Sequence, residues 1–551
     1  MQFEPTEQQK AIVALAKEGG SFKIEAYAGA AKTTTLCLVA DELVHESLYL
    51  AYNKRMAEEA TEKFPGWVEV RTTHSLAYRV FGVVIAHKLT RPAGAYKNVA
   101  GTASEIGRYF KLQNIELAQQ QKITATALGK VVKDTVGRFE NSAAEAVQES
   151  HIVYGGLEKY IANGFIRRQR VVDIVLPVAK LLWQLRSNAT SPVLANHETY
   201  LKMFQLSKPD LSQYKTIYVD EAQDSNDCIL DIVLRQQCQI IIVGDSLQAI
   251  YQWRGSVNAL EKVELPKRVL STSFRFGQSV ADVASIIIAP TRDVDVRGEG
   301  KTTKIVDCPS KVPYPLTKIF RTNSQLLLEA IEQLEAGKRI RIEVDFKDLI
   351  RSIESGVALF EGRTKDVKHD NFVACSDWQD AKFEAKTNGE VKRVVELVEN
   401  GGYIRVLNVL ANYKHPENPE ATYITGHKSK GLEWDNVVIA EDMPSPYDEN
   451  GRYCWPEEER NLAYVMHTRA KKVLCVGSCV EMISMSGDAE GVGVQFDKLF
   501  VNSVNKQMLE FGVNPLDDIT MLSMWADGCE STEGMYNHLR NADFSELALP
   551  K

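Results

Sequence analysis

The sequence lacks any Cys-x-x-Cys pair, any basic-then-apolar leader after Met1, and any uncharged apolar run long enough to span a bilayer. Its nine cysteines are scattered from Cys37 to Cys529, so neither a disulfide framework nor a zinc cluster is indicated. The closest pair, Cys475 and Cys479, reads as small buried hydrophobes near a strand end. Net positive charge is missing too. The 65 Lys and Arg against 73 Asp and Glu leave −8, which argues against a protein that coats nucleic acid by bulk attraction. Repeats and low-complexity segments are absent. What remains is a soluble, multidomain globular protein, expected in the cytoplasm (nucleoid-associated if bacterial) and without a membrane partner; 551 residues suffice for more than one core.

Charge is nevertheless uneven. Between Trp67 and Thr135, ten basic residues (Arg71, Arg79, Lys88, Arg91, Lys97, Arg108, Lys111, Lys122, Lys130, Lys133) stand against four acids (Glu69, Glu105, Glu116, Asp134). A locally basic segment on an acidic chain fits one phosphate-lined groove, the plain alternative being a solvated helical face. From Val501 onward the balance reverses, with three basic residues against eight acids.

Glycine is missing where a phosphate-binding loop expects it. Glu25-Ala26-Tyr27-Ala28-Gly29-Ala30-Ala31-Lys32-Thr33-Thr34-Thr35 matches G-x-x-x-x-G-K-[ST] with alanine at both glycine places, Ala26 and Ala31. Phe22 to Glu25 reads as a strand and Thr33 to Ala40 as the opening of a helix, the setting that makes an anion site. Backbone N–H groups from Ala28 to Thr34 would cradle phosphates. Lys32 would supply a point charge to the β- and γ-phosphates, and the Thr33 hydroxyl a ligand to Mg²⁺.

Thr6-Glu7-Gln8-Gln9 has the capping-box pattern, with Ala11, Ile12, Ala14 and Leu15 at helical spacing and Gly19-Gly20 as a stop. Short β-rich runs follow at Leu48–Tyr52, Trp67–Val70, Thr216–Val219, Ile240–Val243 and Lys267–Leu270. Interleaved with helical stretches, they predict an α/β fold with parallel sheets. The expected order is a first sheet domain at 1–76 and 212–268, interrupted by a mostly helical insertion at 77–211. A second occupies 269–336 and 403–500, with a small insertion at 337–402, and the acidic tail 501–551 has no assigned role.

Val219-Asp220-Glu221-Ala222-Gln223-Asp224 places adjacent carboxylates at the end of a buried-strand signal, the ligand-binding edge of open α/β sheets. ATP hydrolysis needs one acid to hold Mg²⁺ and another to orient and deprotonate water; Asp220 and Glu221 are the candidates. After a second strand signal come Gly244-Asp245 and Gln248-Ala249-Ile250-Tyr251-Gln252-Trp253-Arg254-Gly255. Gln248 could face the γ-phosphate. Tyr251 and Trp253 could stack on bases, worth roughly 1–3 kcal/mol each, the plain alternative being half-buried packing.

In this order the motifs resemble those of the UvrD/Rep-like helicases of superfamily 1. Gln8 matches an adenine-reading glutamine, Asn53-Lys54 with Ala57 resembles the next motif, with the implied DNA contact Tyr52 one place off the family's aromatic, and Thr72-Thr73-His74 resembles a T-x-H segment that touches single-stranded DNA. The resemblance implies that Phe274 of Ser273-Phe274-Arg275 stacks on adenine while Arg275 reaches the γ-phosphate. Phe320-Arg321-Thr322-Asn323 resembles the R-T-N segment. Thr425-Gly426-His427-Lys428-Ser429-Lys430-Gly431-Leu432-Glu433-Trp434 resembles the motif that couples DNA (Thr425, His427) to nucleotide (Glu433). Glu458 to Ala470 is similar to E-E-R-R-L-x-Y-V-x-x-T-R-A, implying Arg469 as a second γ-phosphate arginine. The wording is nearest the F-box DNA helicase subgroup, though no F-box is expected before Gln8. Two RecA-like P-loop domains are therefore expected, with ATP as substrate, Mg²⁺ as cofactor, and single-stranded or forked DNA as partner. Arg254 joins Tyr251 and Trp253 among the implied DNA contacts.

Ala26 is usual for that family, whereas Ala31 departs from it and Tyr27 replaces a common glycine. The leading expectation is an ATP-dependent 3′–5′ DNA translocase and helicase in repair, recombination or phage-related processes. Ala31 keeps open a nucleotide-gated DNA-binding or sensor subunit with weak hydrolysis acting through a protein partner. An RNA-directed motor would share every ATP-site residue.

Overall fold

The computed structural model describes residues 4–90, 100–117, 121–251, 257–292, 294–299, 302–306, 308–344, 346–369, 371–373, 375, 377–385, 389–447 and 452–477. Trp253, Arg254, Cys479 and the acidic tail lie outside them.

Local chemistry explains the first elements. Thr6 caps helix α1 (Glu7–Lys17): its hydroxyl accepts from the Gln9 N–H while the Gln9 side chain accepts from the Thr6 N–H. Strand β1 (Phe22–Ala26) leads through the glycine-poor loop into helix α2 (Lys32–Leu43). Strands β2 (Ser47–Ala51) and β3 (Val68–Thr72) come next. A small antiparallel pair, β4 (Ile115–Glu116) and β5 (Lys122–Ile123), lies in the helical stretch. Strands β6 (Thr216–Val219), β7 (Gln239–Gly244) and β8 (Lys267–Leu270) complete a parallel sheet ordered β3-β2-β6-β7-β1-β8.

The run of β7 shows why this sheet is covered on both faces. Ile240 and Ile242 enter one apolar layer with Leu48, Leu50 and Ile217, while Ile241 and Val243 enter the other with Ile24, Leu36 and Val39. With β1 held between β7 and β8, the loop after Ala26 emerges at the sheet's carboxyl edge.

Within 77–211, a helical core gathers residues between Ala100 and Val193, chiefly from helices Ala125–Glu140 and Arg168–Ser187. The flanks of that stretch belong to the first sheet's layer instead: Ala77 and Ile85 before it, Tyr200, Leu201 and Phe204 after it. Alternating apolar residues alone do not say which of two neighbouring cores a helix will serve.

Strand β9 (Thr272–Ser273) pairs with β10 (Arg297–Gly298). Strands β11 (Lys304–Val306), β12 (Leu316–Phe320), β13 (Ile340–Glu343), β14 (Ala421–Thr425), β15 (Trp434–Ile439) and β16 (Ala470–Cys475) form a second parallel sheet ordered β11-β16-β15-β12-β14-β13. β13 falls inside 337–402, the segment expected as an insertion, yet it pairs with β14 along Ile340 to Glu343. The helices Phe346–Phe360 and Gly389–Glu399 share one apolar cluster with Phe320, Leu326 and Tyr423. This segment therefore extends the second sheet's core.

The two sheets meet through a continuous apolar contact. Tyr27 and Ala28 of the loop, with Leu247 and Ile250 after β7, pack against Phe276, Val280 and Leu462 to Met466 of the second half. Burial of a chain as large as Tyr27 contributes about 1.5–3 kcal/mol to that contact.

Candidate nucleotide and DNA site

Gly29 explains itself by geometry. Its φ is +78°, and a Cβ there would lie 2.3 Å from Ser273 Oγ, while its carbonyl accepts from the Phe274 N–H at 2.9 Å. The loop thus threads against the segment that carries Phe274 and Arg275. Ala26 ends β1 as ordinary strand and needs no glycine. Ala31 differs: it takes φ 54°, ψ 43°, the left-handed region that costs an L-residue about 1–2 kcal/mol. Glu221 is left-handed as well, at φ 49°. These two strained residues bracket an ion pair, Lys32 Nζ to Glu221 Oε1 at 2.7 Å.

Strand β6 delivers Asp220 to the same edge, where it is buried. Its Oδ2 accepts from the Thr33 hydroxyl at 3.5 Å and from the Tyr49 hydroxyl. Burial and the neighbouring Glu221 raise the Asp220 carboxyl above its ordinary range, with Lys32 opposing. Burial pushes Glu221 the same way, but Lys32 and Lys430 overcome it and hold the group down to about 2. Asp245 is pushed up to about 7 by burial, with Lys32 opposing and Glu25 adding. Two buried carboxyls, Asp220 and Asp245, and the half-buried Glu221 thus act on Lys32. Hard oxygens at Thr33 and Asp220, within a surplus of negative charge, are a donor set that suits Mg²⁺.

The second half contributes across the cleft. Arg469, buried on every side, donates through Nη2 to Gln248 Oε1 at 3.4 Å and through Nε to the Val465 carbonyl at 2.7 Å. Burial and Arg275 lower its guanidinium to about 9. Arg275 pairs with Glu433 at 2.7 Å and donates to the Thr468 carbonyl at 3.1 Å. Gln8 ties α1 to Ser271 through both ends of its amide, at 3.0 Å each. Phe274 is half-buried and Thr34 exposed. Lys32, Glu221, Gln248, Arg275 and Arg469 are thereby gathered at one cleft, although 193 residues separate Arg275 from Thr468 in sequence.

A cavity of about 440 Å³ opens beside Asp220, lined among others by Tyr52, Thr73, His74, Glu198 and Tyr251. The His74 ring meets Tyr200 edge-on at 6.1 Å. Tyr251 donates to the His427 carbonyl at 2.9 Å, and Lys430 Nζ lies 5.1 Å from its ring. Asn53 and Thr72 have their side-chain oxygens engaged as helix caps, accepting from Met56 N–H and Ser75 N–H. Lys54 is exposed and pairs with Glu58 at 3.5 Å. Thr425 is buried at the end of β14.

Three members of this site were not singled out from the sequence. Lys430 bridges from the second half to Asp224 at 2.5 Å and to the Gln248 carbonyl at 2.5 Å. Gln223 donates to Glu221 at 2.6 Å. Tyr464 accepts through its hydroxyl from the Ala28 N–H, in the loop after β1, at 3.0 Å. Each lies within a motif already quoted, so its place in that motif was the available signal.

Comparison with known proteins agrees with this arrangement. The UvrD/REP helicase N-terminal domain family matches residues 5–262, and the UvrD-like helicase C-terminal domain family matches residues 180–481. F-box DNA helicase 1 from Gallus gallus is 32% identical over 530 residues, covering 88% of this chain and 50% of that protein. F-box DNA helicase protein 1 from Schizosaccharomyces pombe is 28% identical over 529 residues, covering 86% and 57%. ATP-dependent DNA helicase PcrA from Leuconostoc citreum is 26% identical over 228 residues, covering 38% and 29%. The chain spans about half the length of the two F-box helicases. With two parallel sheets packed together through the loop after β1 and both family matches laid along them in order, the chain belongs to the UvrD-like helicases.

Proposed function

We propose that this protein is an ATP-dependent DNA helicase and translocase, moving 3′–5′ on single-stranded DNA, in repair, recombination or phage-related processes. The observation that carries the reading is the convergence of Lys32 and Glu221 from the first half with Arg469 and Arg275 from the second. In this reading Ala28 to Thr34 hold the phosphates, Gln8 and Phe274 the adenine, and Glu433, paired with Arg275, also serves the nucleotide. Thr33 and Asp220 would hold Mg²⁺, which when bound neutralises phosphate charge. Phosphate arriving at Lys32 draws it from Glu221. The carboxylate then loses the cation that depresses its proton affinity and becomes a competent base for water. Arg275 and Arg469 offset charge that develops on the γ-phosphoryl group.

The cavity beside Asp220 supports the DNA side, with Tyr52, His74 and Tyr251 on its wall and Asn53, Lys54, Thr72, Thr425, His427, Trp253 and Arg254 as further proposed contacts. Alternation of closed and open clefts would move the strand. We assign the first sheet with the helices packed on it, and the second sheet with β13 included, to the two motor domains, in place of the boundaries expected from the sequence. Hydrolysis assayed with single-stranded DNA, RNA and forked duplex tests the proposal; absence of stimulation by DNA would overturn it. The left-handed Ala31 favours a second reading, a nucleotide-gated DNA-binding subunit that turns over slowly and works through a partner. Turnover that stays low at saturating DNA and rises in Ala31→Gly would select it.

A further inference from the structure

Tyr464 spans the cleft. It sits on the helix Glu457–His467 of the second half, fully buried, and its hydroxyl accepts from the Ala28 N–H of the phosphate loop at 3.0 Å. The same hydroxyl donates to Asp245 Oδ2 at 3.3 Å, and Gln248 Nε2 donates to that oxygen at 2.7 Å. The other Asp245 oxygen accepts from the Leu247 N–H at 3.1 Å. The Asp245 backbone N–H donates to Gln223 Oε1 at 3.1 Å, and Gln223 reaches Glu221. One phenol therefore joins the loop backbone, the Gln248 amide and, through Gln223, the Lys32–Glu221 pair.

We infer that Tyr464 is a positioning residue: its hydroxyl couples closure of the two halves to the orientation of Gln248 and of the phosphate-loop backbone. The inference rests on the ATPase reading above. A hydroxyl has one proton, so the donation to Asp245 and the acceptance from Ala28 are complementary and no rotation of the O–H satisfies both differently. When the halves separate, Tyr464 leaves with the second, and two groups of the first half, the Ala28 N–H and the Asp245 carboxyl, lose a buried partner together. Opening thus releases the carboxylate that holds Gln248 from part of its fixed environment, and closing restores it. Asn461 of the same helix donates to the Ala249 carbonyl at 3.1 Å, so the helix grips the segment on both sides of Gln248.

Tyr464→Phe keeps the ring and removes only the hydroxyl. Wild type, Tyr464→Phe, Asp245→Asn and the double variant are compared in steady-state ATP hydrolysis with saturating single-stranded DNA. The expected result is a fall in kcat of about tenfold for Tyr464→Phe, the scale of one lost buried hydrogen bond, with KM for ATP changed less than twofold because Lys32 and Thr33 remain. The double variant is expected within twofold of the worse single variant, since both residues belong to one chain. Wild-type kcat in Tyr464→Phe, a change confined to KM, or fully additive losses would each overturn the inference. If Tyr464→Phe does not fold, the same kcat-against-KM split in Asp245→Asn decides it. An inactive wild type would overturn the ATPase reading and this inference with it, whereas an active wild type beside an unimpaired Tyr464→Phe overturns the inference alone.

Discussion

Replacing Ala31 with glycine removes one methyl group from a residue held at φ 54°, ψ 43°. The left-handed region costs alanine about 1–2 kcal/mol, and glycine nothing. Against that gain stands the greater freedom of glycine in the unfolded chain, about 0.4–1 kcal/mol. The difference is a net stabilisation of about 0.5–1 kcal/mol for the first-sheet unit. On the scale of a few degrees per kcal/mol for a unit of that size, its unfolding midpoint should rise by roughly 1–4 °C. Differential scanning calorimetry of the nucleotide-free protein reads this directly. Ala31→Val provides the opposite sign, because a β-branched residue is a worse occupant of that region, and should lower the midpoint. In steady-state assays Ala31→Gly should also lower KM for ATP, since the backbone before Lys32 can then approach phosphate closely. A lower midpoint for the glycine variant, or a higher one for the valine variant, would refute the strain argument.

Glu221→Gln should cut DNA-stimulated hydrolysis by about 10²–10⁴ while leaving nucleotide binding measurable by fluorescence, and Lys32→Ala should abolish it; unchanged rates would remove both from the site. Arg469→Ala should lower kcat by about 10³ or more if its charge acts on the γ-phosphoryl group, read in single-turnover assays. Arg186→Met leaves Glu140, fully buried and 3.3 Å from Arg186, without its cation, and should destabilise the helical unit by about 3–5 kcal/mol in urea unfolding. For Asp245 the folded carboxyl titrates at about 7, above its ordinary value of 3.8, so between these the native state holds the extra proton. Stability should therefore decline as pH rises from about 4 to about 7, and Asp245→Asn should flatten that slope.

Much of the site was legible because its pieces are local. The Thr6–Gln9 capping box, the four-residue apolar run at Ile240–Val243 and the acids after Val219 each declare an element or an edge within a few residues. Even Ala31 could be marked as out of place from the loop pattern alone, although its backbone angles could not. Strand β13 escaped for the opposite reason: Ile340-Arg341-Ile342-Glu343 is a short alternation that only its pairing with Tyr423 and its neighbours makes a strand. The ends of the helical stretch escaped likewise, since Tyr200 and Phe204 could serve either of two cores.

By itself the sequence determined the two parallel sheets, the loop between β1 and α2 and the family, because these depend on short apolar runs and closely spaced polar residues. Only the tertiary structure decided which side chains oppose one another across the cleft. The Ala28 to Tyr464 hydrogen bond joins residues 436 positions apart, and Lys430 reaches Asp224 across 206. Such contacts follow from how two sheets and their helices pack. They close only when the apolar layer that includes Tyr27, Phe276 and Leu462 has brought the two halves together.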